Sequence, residues 1–233
     1  MKLKGIFGKG SGKLGSSVFA ISGGEQIVRE YNPRVANPNT DAQVAQRAKM
    51  KLMSQLAAAL ASGLAFKKSG LKSARNLFVS KNIGLCSVSN GKATCEMTAL
   101  QLTPGTVPFS NADISISAEN ILEVASYVPF TDNTKKVIVV VCEVTESDKL
   151  EVKNIGIANV EDGEYSYTYN VLRDKTYITF VYGWKPANSA NNVSYEDYVA
   201  DAETGNATLE SALFAMMQEG VFSGTFAQKN VNS

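Results

Sequence analysis

The chain has 233 residues, 44% of them hydrophobic, which is enough to build one large or two small domains around a core. It contains no histidine, which excludes Ser-His-Asp triads, Cys-His pairs and histidine-ligated metals. The net charge of +1 conceals an asymmetry, because residues 1–80 hold 13 Lys and Arg against 3 acids, whereas residues 81–233 hold 10 against 19.

Residues 1–16 are rich in glycine and lysine and predict a flexible basic arm that becomes ordered only against a partner. The string from Gly10 to Gly15 matches G-x-G-x-x-G. No apolar strand precedes it and a β-prone run follows it, so a dinucleotide-binding site is not favoured. Such an arm can neutralise phosphates without reading base sequence, or it can simply be solvated.

A hairpin and a helix are predicted next. The β-prone runs 17–22 and 25–31 are separated by Gly23 and Gly24, a composition typical of a two-residue hairpin turn. Thr40 and Gln43 fit a capping box, which predicts that a helix begins there. The helix is expected to run for about 22 residues, to the stop at Gly63. Its apolar stripe consists of Ala45, Ala48, Leu52, Met53, Leu56, Ala57 and Leu60.

After a shorter helical or irregular piece over 71–82, the pattern changes to short β-prone runs. The predicted fold class is α+β, mainly β: an N-terminal hairpin and one long amphipathic helix, followed by an antiparallel β-sandwich (Ig-like) domain. The predicted divisions are an arm over 1–16, a hairpin-plus-helix assembly module over 17–82 and the sandwich over 83–233. Residues 209–218 fit a short helix or a strand, with helix favoured. The predicted strands are 93–102, 113–118, 121–127, 136–144, 150–158, 164–169, 175–182 and 220–226.

Two sets of residues are candidates for contacts. Tyr165, Tyr167 and Tyr169 alternate with polar residues and so share one sheet face, which is a candidate surface aromatic face or a packed one with hydroxyls at its rim. Glu161 and Glu164 beside it disfavour nucleic acid there, so a protein or carbohydrate contact suits it better. The candidate polyanion or subunit contacts are Lys2, Lys4, Lys9, Lys13, Arg29, Arg34, Arg47, Lys49 and Lys51.

No metal or other cofactor is predicted. Cys86, Cys95 and Cys142 form no C-x-x-C pair and are expected to be buried thiols, with pairing of Cys86 and Cys95 across a hairpin left open. The acids around residues 196–203 do not follow the spacing of a calcium loop. No apolar run approaches the ~20 residues that span a bilayer, and the first residues lack an apolar stretch of signal-peptide length. A cytoplasmic protein without membrane partners is therefore expected.

Residues 12–82 resemble an uncharacterised domain family of Bacteroidota and of gut phage-like genomes. The chain departs from that family in having a single tryptophan, Trp184, and in having Lys49 near an expected aromatic position. The resemblance implies a genomic setting and no catalytic residues. It is carried by Gly12-Lys13-Leu14-Gly15, Gly24, Ile27-Val28-Arg29, Asn32-Pro33, Asn37-Pro38, Thr40, Gln43, Gln46-Arg47, Arg75-Asn76-Leu77-Phe78 and Lys81-Asn82.

Two functions from different classes follow as hypotheses. The favoured one is a non-enzymatic structural or assembly protein of a phage or related element, located in the host cytoplasm or the virion. Its partners would be further copies of itself or other virion proteins. The basic end of one copy would bind the acidic end of the next. The alternative is sequence-nonspecific nucleic-acid binding by the basic arm and helix. A glycosidase would need a pair of carboxylates across a cleft, and no pair stands out at a meaningful spacing.

Overall fold

The fold is known from a computed structural model, which describes residues 11–22, 24–33, 39–107, 109, 112–127, 134, 136–146, 149–186, 216 and 220–232. The chain divides into two compact units, Met1–Gln43 and Val44–Ser233. This division differs from the predicted boundary after residue 82. The reason is that Met53 and Leu56 of the predicted helix belong to the same hydrophobic cluster as Ile138 and Phe180 of the β region.

The first unit contains a three-stranded antiparallel sheet in the order β1-β2-β3. The strands are β1 (Gly12–Leu14), β2 (Ser17–Ser22) and β3 (Glu25–Glu30), so the predicted hairpin is confirmed. Residues 12–14 of the predicted flexible arm are instead a strand, because Gly15 at φ 59° turns the chain back and pairs Lys13 with Val18. The rest of that arm up to residue 10, and Gly23, lie outside the described residues.

Two α-helices follow. The first, α1 (Asp41–Ala59), begins where predicted, and the Gln43 amide donates to Thr40 Oγ1 at 3.4 Å. It ends four residues before Gly63, and a 3-10 helix occupies Ala61–Gly63. The second, α2 (Ala74–Asn82), is capped by Ser73, whose Oγ accepts from the Asn76 amide at 3.2 Å. The helical alternative for residues 71–82 is therefore confirmed.

The second unit is mainly β. Its strands form a five-stranded antiparallel sheet in the order β12-β11-β8-β9, with β13 also pairing with β11, a three-stranded sheet β10-β7-β6, and the hairpin β4-β5. The strands are β4 (Cys86–Ser89), β5 (Lys92–Cys95), β6 (Asp113–Ile116), β7 (Ile121–Tyr127), β8 (Lys136–Val144), β9 (Leu150–Asn159), β10 (Glu164–Asn170), β11 (Lys175–Pro186), β12 (Gly220–Phe222) and β13 (Phe226–Asn232).

Strand β8 lies at the centre of the core, which explains its nearly continuous apolar sequence. Ile138, Val140 and Cys142 on one face pack in a cluster with the apolar residues of α1 and α2. Val137 and Val139 on the other face pack in a cluster with residues of β6, β7 and β10. Alternate side chains of a strand point to opposite faces, so a strand covered on both sides must be apolar throughout.

Two predicted strands need correction, and one strand was missed. The predicted strand 93–102 stops at Cys95 and is followed by the 3-10 helix Met97–Ala99. Its hairpin partner β4 was not predicted; Asn90 at φ 51° and Gly91 at φ 74° form the turn between them. The predicted strand 220–226 is two strands, β12 and β13, separated by residues 223–225. Apart from Met216, the segment 209–218 lies outside the described residues.

A buried carboxylate makes the second unit sensitive to acid. Glu143 on β8 binds Lys153 Nζ at 3.2 Å and Lys175 Nζ at 3.4 Å. Burial raises the pKa of the Glu143 carboxyl, but hydrogen bonds to the two lysines and their charges outweigh burial and hold the pKa below its ordinary value. Because the pKa is lower in the folded chain, the stabilisation is present at neutral pH. It is lost as the pH falls below the unfolded pKa and through the folded one.

Replacing Glu143 with glutamine is therefore expected to lower the free energy of unfolding by about 1–3 kcal/mol at neutral pH and by less at pH 3. Urea unfolding at a series of pH values measures this difference. Glu151→Gln is the matched control, because Glu151 binds Lys153 at 3.0 Å with 59% of its side chain exposed. Parallel pH profiles for the wild type and Glu143→Gln would contradict the assignment.

Candidate interaction surfaces

A groove of about 630 Å³ opens in the second unit, where α1, the β4-β5 hairpin and the adjacent ends of β8, β11 and β13 meet. Four lysines line it: Lys51 from α1, Lys92 from β5, Lys149 just before β9 and Lys229 from β13. All four side chains are exposed, and no Asp or Glu is among the lining residues. We name this surface the lysine groove.

The floor of the lysine groove is apolar. Leu52, Cys95, Met97 and Ile178 contribute to its lining. Within the part of the chain that the structure describes, none of the four lysines has an ion-pair partner. A cationic rim beside an apolar floor suits an anionic partner, because a partner that covers the floor excludes water and so strengthens the ion pairs.

The cysteines are free thiols. The register of the β4-β5 hairpin places Cys86 directly opposite Cys95, the arrangement that the sequence left open. Burial, followed by the neighbouring Cys86, raises the pKa of the Cys95 thiol to about 12. Burial likewise raises the pKa of Cys142 to about 12. At neutral pH both are therefore uncharged, and Cys95 acts as part of the apolar floor of the groove.

An acidic turn joins β9 to β10. Residues 161–164, named the acidic turn, have the sequence Glu-Asp-Gly-Glu, and their three acidic residues are exposed. Glu161 and Glu164 exchange backbone hydrogen bonds of 3.0 and 2.8 Å, while Asp162 at φ 50° and Gly163 at φ 82° form the tip. Together with Asp113 these acids line a surface concavity of about 740 Å³, which has no Lys or Arg among its lining residues.

The lysine groove and the acidic turn lie at opposite ends of strand β9. Lys149 directly precedes the strand, and Glu161 follows it by two residues. Strand β9 has ten residues. At ~3.3 Å per residue its ends are about 30 Å apart. Charges of opposite sign are thus separated along one strand of the second unit.

The sheet of the first unit presents apolar and basic residues. None of its described residues is fully buried, and Leu14, Ile21 and Ile27 are 72%, 49% and 44% exposed. Lys13 and Arg29 both pair with Val18 across the three strands, so they share one face. The Lys13 ammonium also lies 3.6 Å from the centroid of the Tyr31 ring, a cation–π contact.

The predicted basic residues are distributed between the two units. Lys13 and Arg29 belong to the first sheet, and Lys51 to the lysine groove. On α1, Arg47 is exposed and Lys49 is half-buried. The remaining four, Lys2, Lys4, Lys9 and Arg34, lie outside the described residues.

Three groove lysines were missed by the sequence analysis. Lys92, Lys149 and Lys229 lie far apart in the acidic part of the sequence and meet Lys51 only in the folded unit. No local pattern marks them.

The predicted surface aromatic face on β10 is largely packed. Tyr165 is 4% exposed, and its ring meets Phe109 edge-on at 6.2 Å. Burial raises the pKa of Tyr165 above its ordinary value. Tyr167 is half-buried over Gly156, where a methyl group would overlap its ring, and its hydroxyl accepts from Asn154 Nδ2 at 2.6 Å. Tyr169 is also half-buried, so the face does not offer three rings for stacking.

In the described part of the chain, no helix combines the length and hydrophobicity that crossing a bilayer requires. Among the same residues, no group of three or more cysteines and carboxylates is arranged to hold a metal ion. No protein-family model matches the chain, and no curated protein is significantly similar to it.

Proposed function

We propose that this chain is a non-enzymatic structural or assembly protein of a phage or related mobile element. It acts in the host cytoplasm or the virion and self-associates through its basic N-terminal module and its acidic β region. The observation that carries the proposal is the N-terminal sheet, which exposes apolar side chains and has no fully buried residue among those described. The resemblance of residues 12–82 to a phage-associated family supports the genomic setting.

The register of the N-terminal sheet supports a docking role for one face. Phe19 pairs with Val28, and Leu14 and Ile21 lie on the same side by alternation along the strands. A small sheet is stable only when an apolar face is covered. We assign a second copy of the chain as the cover, because two copies can bury these apolar faces against each other. Lys13 and Arg29 on the opposite face suit acidic residues of the β region other than those of the acidic turn.

The test is the mass of the full chain by size-exclusion chromatography with light scattering. The wild type is expected to exceed its monomer mass of 25.0 kDa and to dissociate partly at high salt. Leu14→Asp combined with Ile21→Asp is expected to weaken self-association by about tenfold or more. Leu71→Asp is the control, because Leu71 is 84% exposed in the second unit. A wild type that stays monomeric at high protein concentration, whatever the salt concentration, would refute the assembly function.

We further infer that strands β6 to β13 form an Ig-like sandwich. One sheet contains β6, β7 and β10, and the other contains β9, β8, β11 and β13. In chain order, β6, β7 and β10 correspond to strands A, B and E of an Ig-like fold. Strands β9, β8, β11 and β13 correspond to C′, C, F and G of the facing sheet. A cluster that combines residues of both sheets, including Ile114, Val124, Val139 and Val181, supports the face-to-face packing.

Sequence-nonspecific nucleic-acid binding is the second candidate. It is favoured by the four lysines of the lysine groove, which have no acid beside them in the groove lining. Phosphates would displace condensed counterions there, so affinity would fall steeply with salt. Fluorescence polarisation of a labelled single-stranded DNA oligonucleotide separates the two candidate functions. Nucleic-acid binding requires the chain to bind the oligonucleotide, whereas the assembly function does not.

A further inference from the structure

We propose that the acidic turn of one copy inserts into the lysine groove of the next, so that copies join head to tail. The inference rests on the proposed self-association and names a second contact, separate from the N-terminal sheet. Both surfaces belong to the unit Val44–Ser233.

Charge complementarity is the first argument. The groove lining contains four lysines and no acid, and the concavity beside the turn contains four acids and no base. Across the described residues, neither set has ion-pair partners within its own chain. Surfaces of opposite charge attract and orient each other on encounter, so these two segregated sets are electrostatically complementary.

The acidic turn has an ordered backbone, which is the second argument. The backbone of the acidic turn is held by two mutual hydrogen bonds between Glu161 and Glu164, so binding needs little further ordering of the backbone. The lysine groove is concave, and Leu52, Met97 and Ile178 are part of its lining. Carboxylates that enter it would form ion pairs partly shielded from water, where such pairs are stronger than on an open surface.

The separation of the two surfaces makes the contact intermolecular. They lie at opposite ends of β9, about 30 Å apart, so the acidic turn cannot reach the groove of its own chain. A contact between two different patches is heterologous and leaves one groove and one turn unused after each addition. Copies joined in this way close into a ring or extend as a filament.

Charge reversal in the full chain tests the proposal. The groove variant is Lys92→Glu with Lys229→Glu, and the turn variant is Glu161→Lys with Glu164→Lys. Each is expected to weaken self-association by about tenfold or more, because two substitutions cancel the net charge of the surface and oppose like charges at the substituted positions. The chain that carries all four substitutions has the wild-type net charge and again places opposite charges at the exchanged positions, while Lys51, Lys149, Asp113 and Asp162 keep their signs. Its self-association is expected to recover in part, above that of either double variant.

Matched controls exclude a general charge effect. Lys67→Glu with Lys68→Glu and Glu119→Lys with Glu123→Lys change the net charge equally at exposed positions outside both surfaces. They are expected to leave self-association unchanged. Circular dichroism establishes that every variant folds, which is expected because all substituted side chains are exposed.

The outcomes distinguish the two proposals. If Leu14→Asp with Ile21→Asp dissociates the wild-type oligomer but the charge variants do not, the head-to-tail contact is wrong and the assembly function stands. If the wild type is a monomer at low salt, both are wrong. If the controls weaken association equally, or the fourfold variant fails to recover, the contact is wrong. If the groove variant loses only binding of the DNA oligonucleotide, the groove binds a polyanion and the contact is again wrong.

Discussion

Replacing Trp184 with alanine is expected to lower the free energy of unfolding by about 3–5 kcal/mol, the largest effect of any substitution considered. Trp184 is 2% exposed near the end of β11, and its Nε1–H donates to the Met216 carbonyl at 2.9 Å. Gly220 packs so closely on the indole that a methyl group there would overlap it. Alanine would leave a large cavity and an unpaired buried carbonyl.

Thermal unfolding followed by circular dichroism measures the effect. A chain of this size is expected to lose about 2–4 °C in Tm for each kcal/mol. Trp184→Phe is the graded comparison, because it retains an aromatic ring, loses the donor to Met216 and is expected to cost about 1–3 kcal/mol. An unchanged Tm for Trp184→Ala would show that the contact of the indole with Met216 and Gly220 does not stabilise the unit.

Features that depend on neighbouring residues could be predicted from the sequence. The start of α1 follows from the Thr40 side chain, which can accept from an amide three residues later whatever the rest of the chain does. The bounds of β8 follow from a run of apolar residues that only a strand covered on both faces can accommodate. In each case the signal and the structure lie in the same few residues.

Short elements held by pairing could not be predicted as well. Strand β1 has three exposed residues and no apolar alternation, so it exists only because β2 supplies its hydrogen bonds. Strand β4 has one buried residue, Cys86, and depends on the turn at Asn90 and Gly91. The glycine-lysine composition around β1 is equally typical of a disordered arm, which is why the prediction there was wrong.

The lysine groove shows why charge counted along the chain was an incomplete guide. Counting assigned basic character to the first third, yet Lys92, Lys149 and Lys229 come from the part of the chain that is acidic overall. The fold of the second unit brings them to Lys51, while Glu161 and Glu164 lie at the far end of β9. The separation of positive and negative surfaces that matters for contacts therefore follows from the two ends of β9. The amino-acid composition does not reveal it.

Replacing Asn82 with alanine is expected to lower the free energy of unfolding by about 2–4 kcal/mol. Asn82 is fully buried at the end of α2. Its Nδ2 donates to the carbonyls of Phe78 at 3.0 Å and Gln101 at 2.9 Å, and its Oδ1 accepts from the Gln101 amide at 2.7 Å. Alanine would leave both backbone groups of Gln101 without these partners in a partly buried site.

The effect of Asn82→Ala should extend to the start of β13, because Gln101 also binds Thr225: its Oε1 accepts from the Thr225 amide at 2.9 Å. Urea unfolding is expected to show a lower midpoint with an unchanged slope, since the network joins α2 to the sheet and the unit unfolds as a whole. Asn170→Ala is the control, because Asn170 is exposed on β10.

Asn82→Asp tests the hydrogen bonds separately. A buried carboxylate has a raised pKa, so this variant should regain stability relative to the wild type as the pH falls. A constant difference from the wild type at all pH values would mean that residue 82 remains accessible to water and that the network does not hold these segments together.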